Sequence, residues 1–264
     1  MSVAIPTAGV PGVQEAVRHS LAICRRNLRK VLSSPGQVLD ATLMPVIFAL
    51  IFVYVFGGAI SGSSGAYRQY VMPGIMALTT TIASRTSGTS LNVDFTTGVM
   101  DRFRSLPMAR SAVLTGRILA DTIRMLVSLL TVFGFALLIG FRVHTGPLQA
   151  LAAIGLILLY GIALAWLHAL IGLTARTIET VQSVGMLAMV PLQFGSSIFA
   201  APGTMPGWLG FLVEHNPMTS VVDAARNLMV GGPVAGHVLT ALAWSIGMMA
   251  VLVPLSVRQY RNRK

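Results

Sequence analysis

The residues that could do chemistry in this sequence are few, and their spacing excludes several common active sites. The chain has eight acidic residues, five histidines and the single cysteine Cys24. No histidine pair has the H-E-x-x-H spacing of a zinc protease, and no serine lies in the G-x-S-x-G pattern of an α/β-hydrolase. One cysteine can form neither an internal disulfide nor a cysteine-based zinc site. These patterns predict that the chain is not itself an enzyme.

Lysine is also scarce, which bears on nucleotide binding. The two lysines are Lys30 and Lys264, and neither follows a glycine. The Walker A pattern G-x-x-x-x-G-K-[ST] is therefore missing from the sequence. If the protein works by ATP, another chain must bind the nucleotide.

Charged residues spaced three and four apart form one candidate polar network. Arg117, Asp121 and Arg124 fall on one face of a helix, where Asp121 can pair with either arginine. Arg85 lies in a hydroxyl-rich segment and is costly in a membrane unless it faces protein or a water-filled cavity. The network is either a structural ion cluster at a helix entrance or part of a conduction or coupling path. No acidic relay continues from it through the membrane, which disfavours an ion-coupled transporter.

The composition places these residues in a membrane. Hydrophobic residues make up 54% of the 264-residue chain, and its mean hydropathy is +0.75. Charged residues make up 10%, against roughly 25% in a typical soluble domain. Six stretches are apolar for about 20 residues, which is the length that crosses a hydrocarbon core of about 30 Å. We therefore predict an all-α integral membrane protein, a single domain over residues 1–264, with six transmembrane helices at residues 39–58, 70–91, 117–140, 148–173, 181–200 and 234–256.

The basic residues predict the orientation of these spans. Most of the 19 lysines and arginines lie before the first span, between the second and third, or after the sixth. Basic residues concentrate on the cytoplasmic side of membrane proteins, so we expect both termini in the cytoplasm. The same rule accounts for the net charge of +11 without nucleic acid as a partner.

Two cytoplasmic segments are neither spans nor simple loops. Residues 12–34 carry an apolar stripe beside basic residues and predict an amphipathic helix on the membrane surface. This helix is either a surface anchor or a lever that touches a partner. Residues 94–108 mix charged and apolar side chains, and they form either a solvated loop or a partner contact.

The longest outer connection, residues 201–233, is interrupted by prolines. We expect an outer re-entrant hairpin of two short helices, shielded by protein or water. Trp208 would lie at the membrane interface. Glu214 and Asp223 would either line an outer mouth or lie as ordinary polar residues among the headgroups.

Several motifs resemble a known family. Residues 98–111, GVMDRFRSLPMARS, followed by LTGR at 114–117, resemble the signature of ABC-type export permeases of the type-2 membrane family. The closest resemblance is to the daunorubicin-resistance-like branch of actinobacteria. Residues 205–209, MPGWL, 216–219, NPMT, and 223–226, DAAR, are similar to the family's pattern before its last span. The resemblance covers essentially the whole chain.

The resemblance implies a half-transporter in the bacterial plasma membrane. Two permease subunits, identical or different, would dock on two separate subunits that bind ATP and Mg, so this chain would need no cofactor. Segment 94–108 would be the coupling helix, and the amphipathic helix would assist it. The residues expected to contact the ATP-binding subunit are Glu15, Arg18, Arg25, Asp101, Arg102, Phe103, Arg104, Leu106 and Pro107. The cargo would be amphipathic drugs, lipids or glycans moved outward.

Two other functions remain as alternatives. An ion-coupled secondary transporter would continue to work after ATP depletion and would stop when an uncoupler is added. A membrane-embedded enzyme or assembly factor would need a catalytic constellation, which the motifs above do not provide.

Overall fold

The computed structural model describes residues 35–98 and 110–262 of the chain. These residues form helices joined by short turns, with no strand among them. The amphipathic helix predicted at residues 12–34 and residues 99–108 of the predicted coupling segment lie outside this part of the chain. All the residues expected to contact the ATP-binding subunit therefore lie outside the described residues.

The helices follow one another closely along the chain. Their bounds are α1 (Pro35–Leu50), a π-helix (Ile51–Phe56), α2 (Gly57–Ser61), α3 (Ser64–Thr96), α4 (Arg110–Leu138), α5 (Pro147–Thr174), α6 (Ile178–Phe194), a 3₁₀ turn (Pro202–Thr204), α7 (Gly207–Glu214), α8 (Pro217–Val230) and α9 (Ala235–Asn262).

Four helical stretches in the described part of the chain are long and apolar enough to cross a membrane, by length and composition. They are Thr42–Ala59, Leu114–Leu138, Pro147–Thr174 and Ala235–Asn262. Each coincides with one of the six predicted spans, and together they indicate a membrane-embedded helical protein. The other two predicted spans fall on α3 and α6, which differ from these four in polarity and in length.

Helix α3 can carry many polar residues inside a membrane because other helices surround it. It has 33 residues and a length of about 50 Å, and it packs against α1, α4, α5, α6 and α8. Residues 71–81 are all buried. The buried hydroxyls donate to carbonyls of the preceding turn, as from Thr79 to Ile75 (2.8 Å) and from Ser84 to Thr81 (2.7 Å). Each of these hydroxyls is thus satisfied by the backbone of its own helix, without water.

The ends of α3 and α6 differ from the predicted spans. Helix α3 continues beyond residue 91 to Thr96, so the first residues of the predicted coupling segment are helical. It ends before Gly98, whose φ of +71° lies in the left-handed region that glycine adopts without strain. Helix α6 ends at Phe194 rather than at residue 200, and Gly195 donates its N–H to the carbonyl of Pro191 (2.8 Å). Its 17 residues span about 26 Å.

Helices α3 and α5 approach each other closely through small residues. A Cβ added to Gly172 of α5 would overlap the backbone carbonyl of Gly88 on α3, and a Cβ on Gly88 would overlap the carbonyl of His168. Asn92 of α3 donates to the carbonyls of Gly172 (3.2 Å) and Ala175 (2.9 Å), which helps to satisfy the C-terminal end of α5. This contact fixes the position of α3 against α5 and therefore the position of the polar residues described next.

Candidate functional site

One buried ion pair lies on α4 and is hydrogen-bonded to α3. The carboxylate of Asp121 lies 3.3 Å from the guanidinium of Arg124 and accepts a hydrogen bond from the Ser87 hydroxyl (2.6 Å). Arg124 is 3% exposed and also donates to the carbonyl of Ala83 on α3 (2.8 Å). Both charges are therefore compensated and hydrogen-bonded, as a buried pair requires.

A second ion pair uses a residue that the sequence did not assign to the network. Arg117 pairs with Asp94 on α3 and not with Asp121. The sequence prediction ended the second span at residue 91, so Asp94 was expected in a cytoplasmic connection. Because α3 continues to Thr96, Asp94 is held on the helix within reach of α4. Three members of the predicted network thus form two separate ion pairs. The pair of Asp121 with Arg124 lies within α4 and is hydrogen-bonded to α3, whereas the pair of Arg117 with Asp94 joins the two helices.

Arg85, the fourth predicted member of the network, belongs to neither pair. Within residues 35–98 and 110–262 it has no ion-pair partner, and its Nε has no hydrogen-bond partner. It borders two clefts beside α6. Both clefts are also lined by Met186 of α6, so they adjoin along α3.

The two clefts differ in polarity, and we call them together the Arg85 groove. The more polar cleft has a volume of about 390 Å³ and lies among α3, α5 and α6, lined by Arg85, Thr86, Thr89, His168, Val181, Gln182, Gly185 and Met186. The more apolar cleft has a volume of about 240 Å³ and lies mainly among α1, α3 and α6, lined by Met44, Phe48, Leu78, Ile82, Arg85, Met186, Val190, Gln193, Phe194 and Phe199.

His168 borders the more polar cleft from α5. It is 1% exposed, and its Nδ1 lies 2.9 Å from the carbonyl oxygen of Leu164 and 3.2 Å from Oγ of Ser84. Because a carbonyl oxygen only accepts, Nδ1 is the protonated nitrogen of this ring. Nε2 has no hydrogen-bond partner among the described residues. The backbone of Gly185 on α6 packs against the imidazole ring of His168, and a Cβ added to Gly185 would lie 3.5 Å from Nε2.

A different polar cluster lies where α8 meets the turn after α6. Arg226 pairs with Asp223 one turn earlier, and its other nitrogens donate to the carbonyls of Tyr70 (3.0 Å) and Ser197 (2.8 Å). Its guanidinium carbon also lies 3.8 Å from the centroid of the Tyr70 ring. Asp223 accepts a further hydrogen bond from the Ser197 hydroxyl (2.7 Å). One arginine thus holds α3, α8 and the turn after α6 together.

We expect Arg226→Lys to lower the free energy of unfolding by about 1–3 kcal/mol. Lysine keeps the charge but lacks the planar fork that reaches two carbonyls and a carboxylate at once. The matched control is Arg142→Lys, because Arg142 is an exposed arginine on a connecting segment. Thermal unfolding in detergent measures both variants. Equal midpoints for the two variants would contradict the role assigned to Arg226.

The three residues predicted for an outer mouth differ in their exposure. Trp208 and Glu214 are exposed on the short helix α7, and Trp208 is 70% exposed. Asp223 is half-buried on α8, in its pair with Arg226. The spacing of Asp223 and Arg226 in the sequence indicates their pairing, whereas the contacts with α3 and with the turn after α6 depend on the fold.

Comparison with known proteins defines the class of this protein. The model of the ABC-2 type transporter family matches residues 18–230. The daunorubicin resistance ABC transporter permease protein DrrB1 of Streptomyces coeruleorubidus is 38% identical over 253 residues, covering 96% of this chain and 89% of that protein. The probable doxorubicin resistance ABC transporter permease protein DrrC of Mycobacterium tuberculosis is 28% identical over 261 residues, covering 94% of this chain and 92% of that protein.

The chain belongs to the ABC-2 type transporter family. It is a transmembrane permease subunit of an ABC transporter, and the family resemblance stated from residues 98–111 and 205–226 is confirmed. Permeases of this family work with an ATP-binding partner, which is consistent with the missing Walker A pattern.

Proposed function

We propose that this chain is the membrane half of an ATP-driven exporter that moves amphipathic drugs, lipids or glycans outward. It has no catalytic site of its own, and a separate subunit binds ATP and Mg. The observation that carries this proposal is the 38% identity over 96% of the chain with a permease named for resistance to daunorubicin. We place it in the bacterial plasma membrane, which the bacterial origin of these relatives supports.

We propose six spans, with α3 and α6 added to the four apolar helices. Helix α3 is long enough, and its polar residues are covered by neighbouring helices. Helix α6 is short, but Val184, Met186 and Leu187 are exposed on it, as expected of a lipid-facing or subunit-facing helix. Six spans bring both termini to the cytoplasm, in agreement with the distribution of basic residues.

The outer segment is proposed as a re-entrant hairpin made of α7 and α8. Helix α8 is buried against α3, α5 and α9, whereas α7 exposes Trp208, Phe211 and Leu212. An apolar helix of eight residues is too short to span but long enough to dip into the outer leaflet. Trp208 then lies at the interface, where tryptophan is enriched.

The Arg85 groove is proposed as part of the transport path. An arginine inside a membrane must face protein or water, and Arg85 borders the cleft of about 390 Å³ among α3, α5 and α6. Exposed apolar residues of α1 and α6 flank the groove, among them Met44 and Met186. A second permease subunit, identical or different, would close this side. ATP binding in the partner would then move the helices as rigid bodies and open the path outward.

Coupling to the ATP-binding subunit is assigned to residues 94–108, assisted by the amphipathic helix 12–34. The ion pair of Arg117 with Asp94 supports this assignment, because it ties the end of α3 to α4, on the two sides of the segment. A movement of residues 94–108, caused by the ATP-binding subunit, would therefore displace α3 and α4 together. Asp101 and Arg104 are the charged residues that we expect to contribute most to the docking surface.

The alternative is an ion-coupled secondary transporter. Such a carrier needs a titratable carboxylate or a broken helix near the middle of the membrane. Asp94 and Asp121, the carboxylates of α3 and α4 in the described chain, are both paired with arginines. This pairing favours the ATP-driven exporter.

We expect Asp101→Arg or Arg104→Glu to release the ATP-binding subunit. Reversal of either charge opposes the complementary surface of the partner, which costs several kcal/mol where like charges meet. The measurement is co-purification of the tagged permease with the ATP-binding subunit in mild detergent, with ATPase activity read on the eluate. Arg176→Glu is the control, because Arg176 is exposed on a connection expected on the same side of the membrane. A wild-type eluate without an ATPase, or reversed variants that retain it, would contradict the proposal.

A further inference from the structure

We propose that the Arg85 groove binds the negatively charged headgroup of an amphipathic molecule, a phosphate or a carboxylate, with Arg85 as the counter-ion. This inference rests on the proposed function, because it names the chemical group that the transport path recognises.

Beside the two ion pairs that charged side chains of α3 and α4 form, Arg85 is left without a counter-ion among the described residues. Arg117 is neutralised by Asp94 and Arg124 by Asp121, whereas Arg85 has no carboxylate partner in the part of the chain that the structure describes. Arg85 lies within the proposed span 70–91, about 9 Å from its cytoplasmic end at residue 91. An arginine at that depth is costly unless an anion or water accompanies it. The missing negative charge is the first indication of an anionic ligand.

The walls of the more polar cleft suit an anion. Thr86 and Gln182 supply a hydroxyl and an amide group beside Arg85, and no aspartate or glutamate lines the described wall. A cationic headgroup would meet the guanidinium without a compensating carboxylate. A phosphate or carboxylate would instead accept charge-assisted hydrogen bonds from Arg85.

His168 provides a second, independent indication of a ligand. It is almost fully buried, and its Nε2 has no hydrogen-bond partner among the described residues. With Nδ1 donating to Leu164, Nε2 of the neutral ring is an acceptor, and His168 lines the same cleft. A phosphate that retains one proton, or a hydroxyl next to the acidic group, can donate to it. Buried polar atoms are seldom left without a partner.

The order of the two clefts matches the order of groups in an amphipath. Beyond Arg85 the groove becomes apolar, with Phe48, Ile82 and Phe199 in its wall. A headgroup in the cleft of about 390 Å³ would therefore place the start of its alkyl chain in the cleft of about 240 Å³. Among drugs, lipids and glycans, this arrangement favours acidic lipids and lipid-linked glycans over cationic drugs.

Binding of a simple alkyl phosphate tests the inference. The full-length chain is placed in phosphatidylcholine nanodiscs, without nucleotide or ATP-binding subunit, and titrated with radiolabelled tetradecyl phosphate. We expect one equivalent to bind, with the dissociation constant raised at least about tenfold by Arg85→Gln and much less by Arg85→Lys. Arg176→Gln is the matched control and is expected to bind as the wild type does.

A second variant covers the case in which Arg85→Gln does not fold. Gln182→Glu adds a carboxylate to the cleft from an exposed position on α6 and is expected to abolish binding while Arg85 stays in place. Unchanged affinity in Gln182→Glu or in Arg85→Gln would overturn the inference. So would competition by tetradecyltrimethylammonium as strong as that by unlabelled tetradecyl phosphate.

The same assay identifies the source of the anionic group. If phosphatidylglycerol in the nanodisc raises the apparent dissociation constant of tetradecyl phosphate, a membrane phospholipid occupies the groove. If phosphatidylglycerol leaves the apparent dissociation constant unchanged, the anionic group belongs to a different amphipathic molecule. Either result is consistent with an anion-binding site at Arg85. Because the assay contains no ATP, its failure leaves the ATP-driven export untouched, and a failure of ATP-driven transport leaves the binding result valid.

Discussion

Gly172→Ala is expected to lower the free energy of unfolding of this permease by about 3 kcal/mol, the upper end of the cost of overpacking. The added Cβ would overlap the backbone carbonyl of Gly88, so no change of rotamer can relieve it. Helices α3 and α5 would have to separate, and the hydrogen bonds from Asn92 to the end of α5 would lengthen. The midpoint of thermal unfolding in detergent measures this effect.

The control for this variant lies on the same helix. Gly155 of α5 is exposed, and a Cβ added there meets nothing within 4 Å. Gly155→Ala should be neutral or stabilising by about 0.4–1 kcal/mol, because alanine loses less backbone entropy on folding than glycine does. If both variants unfold at the wild-type temperature, the close crossing of α3 and α5 is wrong.

Asp121→Ala is expected to have an effect at least as large, about 3–5 kcal/mol, through a different mechanism. Removal of the carboxylate leaves the Arg124 guanidinium buried and uncompensated, and it removes the acceptor of the Ser87 hydroxyl. Chemical unfolding in mixed micelles, with the amount of folded protein in the membrane as a second readout, measures the loss.

Two further variants separate loss of the ion pair from loss of packing. The double variant Asp121→Leu with Arg124→Met removes both charges and keeps apolar volume, and it should recover most of the stability lost in Asp121→Ala. Glu179→Ala removes an exposed acidic residue at the start of α6 and should change stability by less than about 0.5 kcal/mol. A double variant as unstable as Asp121→Ala alone would contradict the compensated pair.

The sequence predicts well the features of this fold that depend on hydropathy and on helical spacing. Four spans follow from long apolar runs, and the pairing of Asp121 with Arg124 is one of two that their spacing allowed. A span on α3 was also predicted from its length, although its sequence is much more polar than the others. Its length was underestimated, since hydropathy falls before the helix ends.

Contacts between distant segments could not be predicted from one sequence. Asp94 and Arg117 meet because α3 continues past residue 91, and Gly88 meets Gly172 because of the angle at which two helices cross. The position of His168 beside Arg85 likewise depends on three helices at once. These contacts define the candidate site, so its geometry required the structure although most of its charged residues did not.

We propose that ATP hydrolysis in a partner subunit drives outward transport through this chain. Inside-out vesicles that contain the permease and its ATP-binding subunit test it most directly, with daunorubicin and a fluorescent phosphatidylglycerol as probes. We expect that at least one probe accumulates when ATP is added, that an uncoupler leaves the accumulation intact, and that Asp101→Arg abolishes it. Accumulation that needs no ATP and collapses with the uncoupler would contradict the account and establish the ion-coupled alternative.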